Sequence, residues 1–221
     1  MLLQEIVDEI RLLVKDPSFF DTALGESVPA AMVRRVNEAI LAACSQPGIV
    51  IPSLRKIGRF VTDVGSATVQ MEDVPNNFAG KVLVVGDPKK KIKIFGSVDD
   101  MFVEYYPFET VGSVEAVCIA GNMVWYQGIP ETPETVVCML QENPPQVADA
   151  EDEIPIIPEY LQRQIIIHGV ASWLYDGIED GVDGNKNNTT NSKIEFEKGI
   201  QRWREYLGSR RQHKTSSGWK S

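Results

Sequence analysis

Hydrophobic residues recur at helical spacing over the first fifty positions of the chain. In residues 2–15, aliphatic side chains fall on one face of a 3.6-residue period and charged side chains on the other. Asp16-Pro17 ends this pattern, because the residue before a proline disfavours helical backbone. A second apolar stripe runs from Met32 to Ala43, after Ser27 as a helix N-cap and Pro29 in the first turn. The pattern predicts two amphipathic helices that pack against each other or against a third helix.

From Ile49 to about Gln141 the apolar period changes from 3.6 to two, which is typical of β-strands with one buried face. Gly121-Asn122 predicts a hairpin turn, because glycine and asparagine tolerate positive φ. We expect six or seven short antiparallel strands, enough for a small sandwich or barrel. The alternating segments are residues 82–85, 91–95, 102–106, 114–119 and 135–140, with 124–127 returning from the hairpin turn.

Helical spacing returns after Asn143-Pro144-Pro145 and an acidic connector. Pro158-Glu159 predicts the start of a third helix, which ends at Asp176-Gly177. A polar loop from Asp176 to Asn191 follows. Ser192-Lys193-Ile194-Glu195 then fits a capping box, which predicts the start of the last helix.

The order of elements predicts an α+β protein. Residues 1–48 and 146–208 supply the two helix pairs of one four-helix bundle, and residues 49–145 form an antiparallel β sandwich or barrel inserted between them. Residues 209–221 are expected to be a flexible basic tail.

Composition places this chain among ordinary globular proteins. It has 221 residues, of which 43% are hydrophobic and 24% charged, and no apolar run approaches the roughly 20 residues that a membrane-spanning helix needs. The first residues lack the basic region of a signal peptide, so we expect synthesis and retention in the cytosol. Cys44, Cys118 and Cys138 each have apolar neighbours and no zinc-type spacing, which predicts small buried side chains.

Charge is distributed unevenly along the chain. The net charge is −9, but residues 193–221 hold eight basic and three acidic residues, a net charge of +5, so the other 192 residues carry −14. The acidic balance disfavours nonspecific binding to nucleic acid. Two interpretations of the basic end are open: a segment that docks on a separate acidic surface, or a solvated helix end with a frayed terminus.

No catalytic motif is found in the sequence. His168 lies among aliphatic residues and is expected in the core or on a helix face; the other histidine is His213. A nucleophilic pair of His168 with one of the cysteines stays open, although no local signature such as GxSxG supports it.

The sequence also lacks a complete binding motif for phosphate, metal or nucleic-acid bases. Gly86 is followed by Pro88 and lysines without phosphate-loop spacing. Asp183 begins a calcium-like pattern that lacks the required glycine and glutamate, since Asn188 and Ile194 stand there. The aromatic residues at 105, 106, 125 and 126 lack interleaved basic residues and are expected to pack in a core. We therefore predict no catalytic residue, no cofactor and no metal site.

The half of the chain from about Val114 onward has a distinctive order of features. They are Gly121-Asn122-Met123-Val124-Trp125, Pro130, Pro133, 135–140, Asn143-Pro144-Pro145, 154–161 and 165–175. The helix that follows Leu161 also has the small residues Gly169, Val170 and Ala171. In order and spacing these features are similar to the head-to-tail connector, or adaptor, proteins of tailed bacteriophages, whose sequences usually contain such small residues. The early helix pair and the basic last helix fit the same layout.

The resemblance implies a virion protein at the head-to-tail interface, assembled in the host cytoplasm as a ring of about twelve copies. Its implied partners are the portal protein, tail or nozzle proteins, and passing viral DNA without sequence-specific binding, with no membrane. In that family the carboxyl-terminal segment commonly contacts the portal, which would give this role to Arg210, Arg211, Lys214 and Trp219. The alternatives are a cytosolic ligand-binding or protein-binding regulatory module, and a hydrolase that uses His168.

Overall fold

The computed structural model describes residues 1–21, 28–71, 78–86, 92–105, 110–179 and 186–215, with side chains at all of these positions except 17, 78–81 and 209–215. The chain divides into two compact units. The helical unit comprises Met1–Ile51 and Pro144–Ser221, and the β unit comprises Pro52–Asn143. The described residues form five α-helices and two sheets, with no closed barrel.

Both amino-terminal helices are present. Helix α1 (Leu3–Val14) buries the stripe Leu3, Ile6, Val7, Ile10 and Val14. Helix α2 (Ala30–Ser45) has Pro29 at its N-cap and buries Met32, Val36, Ala39, Ile40, Ala43 and Cys44. Ser27, the expected N-cap residue, lies outside the described residues.

Seven strands of the β unit are described. They are β1 (Arg55–Val61), β2 (Thr68–Gln70), β3 (Phe78–Val85), β4 (Lys93–Phe95), β5 (Ala116–Ala120), β6 (Met123–Gln127) and β7 (Thr135–Glu142). One sheet has the order β1-β7-β3, and the other has the order β2-β6-β5-β4. The predicted hairpin between β5 and β6 is confirmed, and Gly121 at its turn has φ +63°.

The two sheets share one core. Inward side chains from both sheets fill it, including Phe60 of β1, Val117 of β5, Tyr126 of β6 and Leu140 of β7. The prediction of wholly antiparallel strands is wrong at one place, because β4 pairs with β5 in parallel.

Residues 102–106 were expected to be a strand, and this is also wrong. They overlap helix α3 (Val98–Glu104), which begins at Ser97, whose Oγ accepts a hydrogen bond from the backbone N–H of Asp100. Met101 of α3 packs on Ala116 and Cys118 of β5. Strand β5 is therefore covered on both faces, by the sandwich core on one side and by α3 on the other, which explains its continuous apolar sequence.

Helix α4 occupies residues 159–179 and is the central helix of its unit. It runs through Glu159–Gln162, a π-helical segment Arg163–Ile167, and His168–Glu179. Helices α1, α2 and α5 (Asn187–Thr215) each pack against it. Nearly every face of α4 is thus covered, and its run of isoleucines at 165–167 is fully buried.

The ends of α4 and α5 correct three predictions. Helix α4 continues to Glu179, beyond the predicted stop at Asp176-Gly177. Helix α5 begins at Asn187, so Ser192 lies inside the helix and the predicted capping box is wrong. Helix α5 also continues to Thr215, so residues 209–215, expected in a flexible tail, are helical.

Candidate functional site

The best candidate site is the carboxyl-terminal part of α5. The last buried position among the described side chains of this helix is Leu207, which follows Trp203 and Ile200 along one stripe. The helix continues for eight residues, from Gly208 to Thr215, or about 12 Å at 1.5 Å per residue. We call residues 208–215 the helical extension.

The helical extension contains three of the four residues predicted to dock on a portal. Arg210, Arg211 and Lys214 have helical backbone, and their spacing places the three positions within an arc of about 100° around the helix axis. Their side chains lie outside the described part, and so does the whole of Trp219. The fold therefore brings three basic positions to one side of one helix end. Basic residues at the carboxyl end of a helix are attracted by the negative end of the helix dipole.

The opposite end of α5 is capped by a side chain from α4. The Glu179 carboxylate accepts hydrogen bonds from the backbone N–H groups of Asn188 and Thr189 at 3.1 Å, and from the Thr189 hydroxyl at 2.6 Å. The Thr189 hydroxyl above all, with the two N–H groups, lowers the pKa of Glu179 below its ordinary value, against the opposing effect of burial. This contact fixes the start of α5 relative to the end of α4.

Helices α4 and α5 also pack closely along their length. A Cβ atom added to Gly199 of α5 would lie 2.8 Å from Cγ1 of Ile165 and 2.9 Å from Cβ of Gln164. Gln164 also donates to Glu195 at 3.1 Å and accepts from Arg202 at 2.9 Å. Helix α5 therefore leaves the core in a fixed direction.

An exposed aromatic residue lies near the start of the helical extension. Tyr160 of α4 is 66% exposed, and its ring contacts the ring of Tyr206 of α5 edge to face, with centroids 6.3 Å apart. Tyr206 is two residues before Gly208. Sequence reasoning did not select this pair, although an aromatic residue just after a helix start, at a position outside the apolar stripe, was a usable signal.

Burial lowers the reactivity expected of the cysteines. All three are free and buried, which confirms the prediction. Burial raises the pKa of Cys138 to about 11 and also raises the pKa of Cys118. Both thiols are thus held in the protonated form near neutral pH, which does not favour a nucleophilic role.

His168 is half-buried on α4. Its Nδ1 atom is buried without a hydrogen-bond partner among the described residues. Burial, more than any charge, lowers the pKa of His168; Glu195 opposes the shift and Arg163 adds to it. This setting matches the helix-face histidine expected from the sequence.

The remaining candidates pack as structural residues or lie outside the described part. The Tyr126 hydroxyl bonds to the backbone of Asp63, and Trp125 packs against Phe102. Residues 87–91, 106 and 180–185, which include the lysines, Tyr106 and the start of the calcium-like pattern, are not described. No group of three or more His, Cys, Asp or Glu side chains within the described ranges is arranged to hold a metal ion.

The helical unit has two clefts among its described residues. The larger, of about 480 Å³, has Glu5, Glu153 and Glu159 in its lining, and the smaller, of about 180 Å³, lies beside Ile40. In the β unit, packed side chains fill the space between the sheets, and the rings of Phe60 and Tyr126 lie 6.2 Å apart. This packing does not favour a ligand site between the sheets.

None of the described helices combines the length and apolar character needed to cross a bilayer. A scan against protein-family models and a search of curated proteins both find no match to this chain.

Proposed function

We propose that this protein is a structural component of a tailed-phage virion, a head-to-tail adaptor that forms a ring on the portal and receives tail or nozzle proteins. In this proposal α1, α2, α4 and α5 form one four-helix bundle, and the β unit contacts neighbouring proteins. The helical extension and the residues after it, up to Trp219, contact the portal.

The observation that carries the proposal is the basic helical extension in an acidic chain. Its positions 210, 211 and 214 are basic and none of residues 209–221 is acidic, whereas residues 1–192 carry a net charge of −14. Basic residues on a helix that extends past its own core are suited to bind a separate acidic surface, because ion pairs steer association and set orientation. Trp219 adds an aromatic anchor, the residue type that most often dominates interface energy.

The net negative charge of residues 1–192 is compatible with a surface that lines a DNA conduit. Like charges repel, so an acidic channel wall lets phosphate-rich DNA pass without adhering to it. The same charge disfavours sequence-specific binding of DNA, which needs basic contacts to position the protein.

The portal contact is tested by reversing charge in the helical extension of the full-length protein. We expect the triple variant Arg210→Glu, Arg211→Glu, Lys214→Glu to bind the purified portal ring at least about tenfold more weakly than the unchanged protein. Deletion of residues 209–221 should weaken binding at least as much, because it also removes Trp219. Binding is measured by co-sedimentation with portal rings over a range of protein concentrations.

The matched control is a second triple charge reversal in the same unit: Arg34→Glu, Lys193→Glu, Lys198→Glu. These three residues are exposed and lie outside the helical extension. We expect this variant to bind the portal within about threefold of the unchanged protein. Equal weakening by both triples, or no weakening by the deletion, would remove the proposed role of residues 209–221.

A further inference from the structure

The outer face of the three-stranded sheet carries several exposed apolar side chains. Ile57 and Val61 of β1, Val137 of β7 and Val84 of β3 all point away from the core, and Ile57 is 63% exposed. The register places Ile57 and Val84 on either side of Met139 of β7. These residues, with Arg59 and Met139, form a continuous surface that we call the sheet face.

The sheet face departs from the usual pattern of a sandwich. In an antiparallel sheet with one buried side, the outward positions are normally polar. Here the inward residues Gly58 and Phe60 alternate with Ile57, Arg59 and Val61 outward, so both sides of β1 carry apolar residues. An exposed apolar patch of a few hundred Å² is a mark of an interaction surface.

Arg59 is the charged residue within the sheet face. It lies opposite Val137 in the register and is exposed, and none of the ion pairs among the described residues includes it. A partner for this surface therefore needs apolar side chains with a carboxylate among them.

Such a combination lies on the opposite side of the same unit. Helix α3 covers the second sheet on the side away from the core, and its outer surface carries Val103, which is 84% exposed, beside Phe102. Asp99 and Asp100 are exposed on this helix and make no ion pair with a described residue. We call these four residues the helix face.

We propose that the sheet face of one copy binds the helix face of the next copy of this chain. The two faces are complementary in charge and both expose aliphatic side chains, and they lie on opposite sides of a single layered unit. A contact between two different surfaces of the same chain is heterologous, and it generates a closed ring when the rotation between copies closes. The inference rests on the proposed function, for which a ring is required, and it names the surfaces that build the ring.

The apolar residues would form the centre of a larger interface. A stable contact buries about 800 Å² on each partner, with an apolar core and a polar rim. Arg59 facing Asp99 or Asp100 would set the orientation of the two copies. Pairing of two sheet faces would instead bring like charges together, which disfavours a symmetric dimer.

The test uses cysteine cross-linking between copies of the full-length protein. Two variants, Val137→Cys and Val103→Cys, are made separately, mixed, and treated with a short bis-maleimide. The native cysteines are buried, so the unchanged protein serves as the background control. We expect a cross-linked dimer in the mixture, at a yield several times that of either variant alone.

A second measurement distinguishes loss of the contact between copies from misfolding of a variant. Val137→Glu and Val103→Glu should each raise the concentration needed for self-association at least about tenfold, whereas Val64→Glu, at an exposed residue in the turn after β1, should not. Circular dichroism checks that each variant is folded. Equal cross-linking of single variants and mixture, unchanged assembly of both glutamate variants, or an unchanged protein that stays monomeric at every concentration would overturn the inference.

Portal binding separates this inference from the proposed function. If rings form on the portal with both glutamate variants, the portal role is supported and the proposed contact between the sheet face and the helix face is wrong. If the mixed cysteine variants cross-link but no portal preparation binds the chain, the contact between the two faces is supported and the adaptor role is wrong.

Discussion

At the scale of single residues, burial determines what the titratable side chains do. The apolar neighbours of Cys44, Cys118 and Cys138 were enough to predict that these thiols are buried, because free cysteine is among the most frequently buried residue types. The hydrogen bonds of Glu179 were not predictable, because its partners Asn188 and Thr189 are nine and ten residues further along the chain, and local spacing does not show which residues meet at that distance.

We predict that the cysteines react slowly in the folded protein. With the pKa of Cys138 at about 11 and all three thiols buried, a colorimetric disulfide reagent at neutral pH should modify none of them within minutes. In denaturant all three should react at once. Rapid modification of one cysteine in the folded state would contradict this prediction and support a nucleophilic cysteine. Single Cys→Ser variants would identify which cysteine reacts.

His168 predicts a loss of stability on mild acidification. Burial lowers its folded-state pKa, so the neutral form is favoured by folding. This contribution is complete above the unfolded pKa of about 6.5 and is lost as the pH falls through the folded value. The urea midpoint should therefore fall more between about pH 7.5 and about pH 5 for the unchanged protein than for His168→Gln, which does not titrate. Equal slopes in the two proteins would contradict this assignment.

At the scale of elements, periodicity predicted α1, α2 and most strands, because most of these elements bury one face of a regular pattern. The start of α4 was predicted from Pro158-Glu159. Periodicity failed at residues 102–106, where alternation is compatible with a strand but Ser97, Asp99 and Asp100 form a local helix start. It failed again at Ser192, because the true start of α5 is capped from another helix. The close approach of α4 and α5 depends on Gly199, whose role becomes visible only in three dimensions.

Gly199 should not tolerate a larger side chain. Gly199→Val places atoms within 3 Å of Ile165 and Gln164, and forcing helices apart costs about 1–3 kcal/mol in the free energy of unfolding. The control is Gly177→Val, in the exposed part of α4, where an added Cβ has nothing within 4 Å. There the higher helix propensity of valine should leave stability unchanged or raise it by a few tenths of a kcal/mol. Similar denaturant midpoints for the two variants would contradict the close packing of α4 and α5.

At the scale of the whole molecule, the sequence contained the two features on which the proposed function depends: a β module inserted between helix pairs, and opposite charge at the carboxyl end. The division into a helical unit and a β unit follows from the change in period at both boundaries. The helical form of residues 208–215 was not predicted, because Gly208 and a polar sequence resemble a helix end. The basic positions 210, 211 and 214 therefore lie on helical backbone rather than in a loose tail.

The most direct test of the adaptor role is co-sedimentation of the full-length protein with the portal ring of the same virus, followed by negative-stain imaging of the heavy fraction. The proposal predicts that the protein moves into the heavy fraction and that images contain a second ring added to one face of the portal. A protein that remains light and monomeric with correctly assembled portal rings would contradict the adaptor role.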